Sequence, residues 1–434
     1  MHQVKISLLK LAILTGLLAG SSVVSALQIE PGIGIGLGYS NNAALTADNE
    51  DNDWIAAGYV GATIKENNAP FYADVTTSLG YRNYTNNTFS DQYYPRLGAT
   101  AGWEMIRDRV DWQVHNYFTQ QKENSLDANT PDNDQNTNVF TIGPNAYFPI
   151  SGRQKITVSP LFQDFYYEDS DTDNRQYGIG ANWLYQIYRT MEVGLGGRVN
   201  KVDFDNDDRN PDFTTSIARV VVSGTTARSD YDLNVGGTHI NRDRFENQEG
   251  FTGNLTWLYR LTGHSSVRTY VASELTDSNR ELLGSQVTPD NGDFSNVQIS
   301  GDVLRNKIAR LLYRRKGSTL LARAWGEYRD QDYKESPNDR DVKEIAATLD
   351  YRVTALFTTG IYGKYNRTKE KDTGRRDKRY KIGGKVGYNL SRKLQASFDL
   401  RYQNKDSTQA DREYSEFSAF VSLVYGFNDL SRPK

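Results

Sequence analysis

No cysteine occurs among the 434 residues. A disulfide framework and a lipoprotein anchor are therefore excluded, and whatever fold forms must be held without a covalent staple. Long apolar runs are equally scarce. After Leu27 none approaches the roughly 20 residues that a spanning helix needs, so a helical membrane protein is ruled out. Histidine is rare, with only His115, His239 and His264 beyond the N-terminal segment. A Ser/His site needs a base oriented by a third group near the reacting bond, and no spacing here supplies one, so the chain is not read as an enzyme. No cofactor, resident metal or nucleic-acid partner is expected either.

What is abundant is tyrosine, 28 residues against 3 methionines, with 12% aromatic residues in all. A phenol ring can sit in acyl chains with its hydroxyl among headgroups, as the interfacial girdles of a membrane β-barrel require. The rival class is a soluble all-β repeat or sandwich, which shares the Tyr and Gly enrichment. At the N-terminus Lys5 and Lys10 flank an apolar run, residues 8–24, that ends in Val24-Ser25-Ala26. This reads as a Sec-type secretory signal peptide, residues 1–26, cleaved near Ala26. Residues 27–427 then form one domain and residues 428–434 a short periplasmic tail.

Two-residue alternation separates the classes. Near the C-terminus Phe417, Ala419, Val421, Leu423 and Tyr425 form a wholly apolar face, and the intervening positions are mixed. The same pattern recurs at Phe71, Ala73, Val75, Thr77, Leu79 and Tyr81, and again at Leu394, Ala396, Phe398, Leu400 and Tyr402. A wall with lipid outside and water inside demands this sorting. The predicted fold is all-β, a transmembrane antiparallel up-and-down barrel of about 18–20 strands. Strand starts are expected near residues 29, 54, 71, 91, 110, 137, 154, 174, 191, 212, 229, 249, 265, 303, 319, 341, 356, 379, 393 and 413. Residues 276–306 leave the count open, since that polar stretch can hold an extra hairpin, a lid or a loop folded into the lumen. Brief turns such as Ser151-Gly152-Arg153 and Ser391-Arg392 alternate with longer loops at residues 122–136 and 368–379. Bacterial barrels keep short turns in the periplasm and long loops outside, which orients the chain in a bacterial outer membrane.

Gly32, Gly34, Gly36 and Gly38 recur every second residue, opposite Ile33, Ile35, Leu37 and Tyr39, which rejects a dinucleotide fingerprint. The expectation is a first strand with a bare lumen side that leaves room for a plug, partner or substrate. On the inferred lumen face stand Arg82, Arg96, Arg198, Arg268, Arg323, Lys381, Lys385 and Arg401. Asp74, Asp111, Glu192, Asp232, Glu274, Asp350 and Asp399 supply the opposite charge. Such charges hydrate a channel and brace its walls in any barrel; they also suit passage of acidic sugars. Tyr72, Tyr94, Tyr117, Tyr270, Trp325 and Tyr362 share that face, either as packing or as a surface for stacking sugar rings. Acidic loops recur at residues 48–53, 169–173 and 203–208, whereas residues 369–379 are basic. Asp169, Asp171 and Asp173 have the spacing that opens a calcium loop. Asn174 replaces its glycine and Gly180 its closing glutamate, which leaves solvated carboxylates or diffuse divalent bridging to lipopolysaccharide as the reading.

The opening strand, Gly34-Ile35-Gly36-Leu37-Gly38-Tyr39-Ser40-Asn41-Asn42, resembles a family of outer-membrane β-barrel porins found beside exopolysaccharide and exosortase systems. Tyr313-Arg314-Arg315-Lys316-Gly317-Ser318-Thr319-Leu320 is similar to that family's turn between two strands, though it lacks the arginine usual after the glycine. Tyr328-Arg329-Asp330 followed by Asp339-Arg340-Asp341 resembles its next loop. The resemblance spans nearly the whole mature chain and carries no catalytic residue. It implies a pore that passes a secreted polysaccharide across the outer membrane, working with periplasmic export or copolymerase proteins and inserted by the barrel assembly machinery. The alternatives are a general diffusion or ligand-uptake porin, and a closed structural adhesin or scaffold.

Overall fold

The computed structural model describes residues 27–48, 50–280 and 298–426. The expected signal peptide, Phe427 and the tail lie outside the described residues. Twenty strands follow one another in chain order. They are β1 (Gln28–Ser40), β2 (Asp53–Glu66), β3 (Phe71–Tyr84), β4 (Gln92–Ile106), β5 (Val110–Lys122), β6 (Asp134–Ser151) and β7 (Gln154–Tyr167). Next come β8 (Asn174–Tyr188), β9 (Met191–Phe204), β10 (Phe213–Thr225), β11 (Ser229–Arg242), β12 (Gln248–Thr262), β13 (Ser265–Asp277) and β14 (Val303–Lys316). The circuit ends with β15 (Leu320–Tyr333), β16 (Arg340–Arg352), β17 (Phe357–Glu370), β18 (Arg376–Asn389), β19 (Leu394–Ser407) and β20 (Tyr414–Tyr425). Every strand begins within three residues of its expected start. Each pairs antiparallel with the next, and β1 closes on β20 from Ile33 opposite Tyr425 to Ser40 opposite Ser418. The fold is thus a closed twenty-stranded all-β barrel.

The register carries one parity around the wall, shifted only by irregularities beside four short turns, at Glu104, Pro149, Gln186 and Arg260, as a closed sheet with a side-chain period of two must. Outward positions hold large apolar side chains with nothing over them: Ile345 is 65% exposed, Ile361 62% and Ile382 62%. A continuous belt of this kind belongs in hydrocarbon and marks an outer-membrane barrel. Aromatic pairs cap the belt at both ends. Tyr39 and Trp54 lie 5.2 Å apart, and Tyr81 and Tyr93 5.3 Å apart, at the long-loop end; Phe71 and Trp103 stack at 5.9 Å at the short-turn end.

Two ladders stop short at the long-loop end. β4 pairs with β5 only as far as Leu97 opposite Phe118, and β12 pairs with β13 only as far as Gly253 opposite Ser273. Pro95 explains the first break. Its carbonyl accepts the Gln120 side-chain amide at 2.8 Å and so faces β5, where a proline has no N–H to offer a ladder. Beyond these points the β5–β6 and β13–β14 hairpin tips lean into the barrel. Leu275 and Val303, at outward positions by parity, are buried against inward Val202, Phe204, Phe213 and Ile240. Lys122, also outward by parity, is 3% exposed.

The strand number, expected at 18–20, is twenty. Two expectations are revised. The loop expected at residues 368–379 shrinks to residues 371–375, because the ladder of β17 and β18 runs out to Lys369 opposite Arg376. The glycine row of β1 does not present a bare wall: a Cβ on Gly34 would meet the Tyr59 ring at 2.1 Å, and one on Gly36 the Phe420 ring at 2.5 Å. The rings of two neighbouring strands occupy the space that the absent side chains leave.

Candidate functional site

Alternation on β15 to β20 and on β1 to β4 turns a run of polar side chains inward, and these enclose a cavity of about 680 Å³. Its lining carries six cations, Arg82, Arg96, Lys364, Lys381, Lys385 and Arg401, against three carboxylates, Asp350, Asp399 and Glu416. Lys385 reaches Asp350 at 2.6 Å and Arg401 reaches Glu416 at 3.3 Å. Aromatic groups stand among them. The Tyr362 hydroxyl donates to Asp399 at 2.8 Å, and Lys381 Nζ lies 6.0 Å from the centre of the Tyr362 ring. Trp325 Nε1 donates to Glu344 at 3.0 Å, and Lys364 also reaches that carboxylate, at 3.2 Å. The Arg82 guanidinium sits 4.6 Å over Tyr94.

Of the residues singled out in the sequence, Arg82, Arg96, Trp325, Asp350, Tyr362, Lys381, Lys385, Asp399 and Arg401 converge on this cavity. The others occupy inward positions elsewhere on the wall. Arg268, Glu192 and Asp232 line a second cavity of about 430 Å³ near the short turns. Tyr72 lies across the position a Gly102 Cβ would take, and Asp74 faces Lys65 at 3.9 Å. Tyr117 is opposite Gly98, Tyr270 opposite Arg310, Arg323 opposite Thr348, and Arg198 opposite Ile217. Asp111 accepts from Gln113, and Glu274 from Asn254.

At the long-loop end the cavity is roofed by Asn129 and Pro131, from the segment between β5 and β6. That segment crosses to the far wall, where Arg340 donates to the Ser125 hydroxyl at 2.6 Å and Lys405 to the Leu126 carbonyl at 2.9 Å. Arg412 pairs with Asp127. From the other side the described flanks of the β13–β14 connection meet it. The Ser125 hydroxyl donates to Gln298 at 2.9 Å, the Tyr167 hydroxyl donates to Asn279 at 2.6 Å, and Ile299 packs with Val139, Phe165 and Tyr167. The stretch of residues 276–306 therefore folds inward at both described ends; residues 281–297 lie outside the described residues. This mouth was not read from the sequence. A faint signal was present: Arg379 and Lys405 are inward cations directly opposite one another on β18 and β19, an arrangement that repels unless acceptors intervene.

The acidic loop at residues 168–173 is spent on structure. Asp171 pairs with Arg209, and Asp173 accepts the Tyr167 N–H at 2.7 Å. Burial, reinforced by Asp205, Asp164 and Asp171, pushes the Asp173 carboxyl up to about 6. Among the described residues no group of three His, Asp or Glu side chains is placed to hold a metal ion. His115 contacts Thr100 at 3.2 Å, His239 pairs with Glu249 at 2.9 Å on the outer face, and His264 lies in the turn between β12 and β13.

Apolar belt, aromatic girdles and polar interior together define an outer-membrane β-barrel with a polar lumen. Residues 340–427, which span β16 to β20, match the family model described as "Putative beta-barrel porin 2". The segments at residues 34–42 and 313–320 that carry the sequence resemblance lie outside this match. Among solved structures, the chain is similar to OccK2 (OpdF) of Pseudomonas aeruginosa, with 7% identity over 92% of this chain and 98% of that one and a TM-score of 0.39. A BenF-like porin from Pseudomonas fluorescens Pf-5 shows 8% identity over 92% and 99%, with a TM-score of 0.40. The siderophore receptor PirA of Pseudomonas aeruginosa shows 9% over 92% and 80%, with a TM-score of 0.46. No curated protein matches the chain.

Proposed function

We propose that this barrel conducts an acidic polysaccharide outward across the outer membrane, passively, with periplasmic export proteins supplying direction. The observation that carries the reading is the cavity: six cations against three carboxylates, with Trp325 and Tyr362 among them. Clustered cations concentrate an anionic chain, and flat rings hold sugar faces without fixing one position along the polymer. The inward-leaning hairpins narrow the long-loop mouth, which argues against unrestricted diffusion of small solutes. A gated inlet for small organic anions is the second reading, favoured by the limited volume of the cavity.

Two measurements test these readings. Deletion of the gene traps exopolysaccharide in the periplasm if the barrel is an exporter, whereas normal secretion in the deletion strain rules export out. Gene deletion decides between them, whereas both readings expect an anion-selective channel in planar bilayers whose preference Lys381→Glu with Arg401→Glu inverts; a channel indifferent to both changes places the ion path elsewhere.

A further inference from the structure

Three cationic side chains converge on one neutral oxygen at the long-loop mouth. The Leu126 carbonyl accepts from Lys405 Nζ at 2.9 Å, from Arg375 Nη2 at 3.4 Å and from Arg379. Arg379 also reaches the carbonyls of Ser125 at 3.4 Å and Asp127 at 3.3 Å. Asp377 braces the group, 2.7 Å from Arg375 and 3.3 Å from Lys405. Arg375 is 7% exposed, Arg379 4% and Lys405 2%, so all three have left bulk water.

Three cations here meet one carboxylate, Asp377, and the neutral peptide oxygens of residues 125–127, which are weaker counterparts than a second carboxylate. Hydrogen bonds from a cation to an anionic oxygen are roughly twice as strong as neutral ones, and the guanidinium fork matches a carboxylate in two places at once. We propose that Arg375, Arg379 and Lys405 form a carboxylate-binding cradle for the acidic glycan. The backbone of residues 125–127 occupies that cradle as a stand-in while the mouth is closed. A uronic-acid carboxylate arriving from the cavity below displaces the peptide oxygens, and the β5–β6 tip is released. The ligand thereby opens its own exit: it binds the cradle only where the loop has left it, so its binding free energy is spent on the open form. This inference rests on the export reading for the identity of the ligand, and adds the site and the mode of opening.

The chain has no native thiol, so Ala128→Cys labelled with bimane gives a single reporter on the crossing segment of the purified, full-length barrel. Trigalacturonate shifts the emission saturably, and maltotriose, its neutral counterpart in length, leaves it unchanged. Lys405→Gln raises the half-saturating concentration about tenfold, the loss of one charge-assisted hydrogen bond, and Arg375→Gln does likewise. Lys405→Arg responds as the parent does and controls for folding. A shift of equal size with maltotriose, no shift with trigalacturonate, or an unaltered half-saturation in Lys405→Gln overturns the proposal. The emission reports loop position rather than transport. A barrel that releases its loop to trigalacturonate but is dispensable for secretion keeps the cradle and loses the export reading. One that exports while its loop ignores trigalacturonate loses the cradle alone.

Discussion

Asp173 shows how much a single side chain can be asked to do. It terminates β7 by accepting the Tyr167 N–H, in a loop crowded by Asp171 and Asp205, and its carboxyl is pushed up to about 6 by burial first and those neighbours second. An acid raised in the folded state binds its proton more tightly there than in the unfolded chain. The stabilisation from protonating it is complete below the ordinary value near 3.8 and is lost as pH rises through about 6. Lowering the pH from 7 to 5 is therefore expected to raise the urea midpoint of the parent relative to Asp173→Asn. Parallel midpoints across that range exclude the effect. The triplet Asp169, Asp171, Asp173 was visible in the sequence as spacing, but its employment was not, because Arg209 and the Tyr167 amide come from separate places in the chain. Inward and outward parity, by contrast, could be read residue by residue, since a closed antiparallel sheet admits no slip without reversing every side chain. Leu275, Val303 and Lys122 escape that rule because their hairpin tips leave the wall, and parity within a strand says nothing about where the strand itself goes.

At the scale of elements, the twenty strands were legible because each repeats one pattern between turn residues, and the short turns are set by local chemistry. The two leaning hairpins were not. A strand that bends inward keeps the same alternation as one that stays upright; only the partners differ. Pro95 is the local feature that does register. Restoring an amide there with Pro95→Thr supplies the donor missing opposite Gln120, lets the β4–β5 ladder continue, and draws the β5–β6 tip toward the wall. Single-channel recordings are expected to show a higher open probability for this variant, with slower amide exchange in β5 beyond Phe118. An unchanged open probability together with slowed exchange uncouples ladder length from the mouth.

For the molecule as a whole, stability comes from matching the apolar belt to the bilayer. Ile345 stands outward in the middle of β16 with 65% of its surface uncovered by protein. Ile345→Arg places a charge in the hydrocarbon and is expected to cost about 2–4 kcal/mol in folding equilibria measured in lipid vesicles. A cost below about 0.5 kcal/mol, the usual scatter of surface substitutions, puts Ile345 outside the membrane core. The overall architecture was legible for the same reason that the belt is stable: lipid on one side and water on the other constrain every strand alike. The lining of the cavity was less so. A passive conduit needs no residue at a fixed spacing, only a lining of suitable charge, and the cavity gathers that lining from ten strands, β1 to β4 and β15 to β20.

The two interrupted ladders cut the upper wall into leaves of eight strands, β5 to β12, and twelve, β13 to β20 with β1 to β4. Lower down both of these pairings resume, β4 with β5 from Leu97 to Ile106 and β12 with β13 from Gly253 to Thr262, and join the leaves into one hoop. Widening at the rim can then proceed by splaying the leaves, while the hoop beneath keeps its circumference and its seal against lipid. Splaying of this kind would vary the bore at the rim without any change in strand number or stagger.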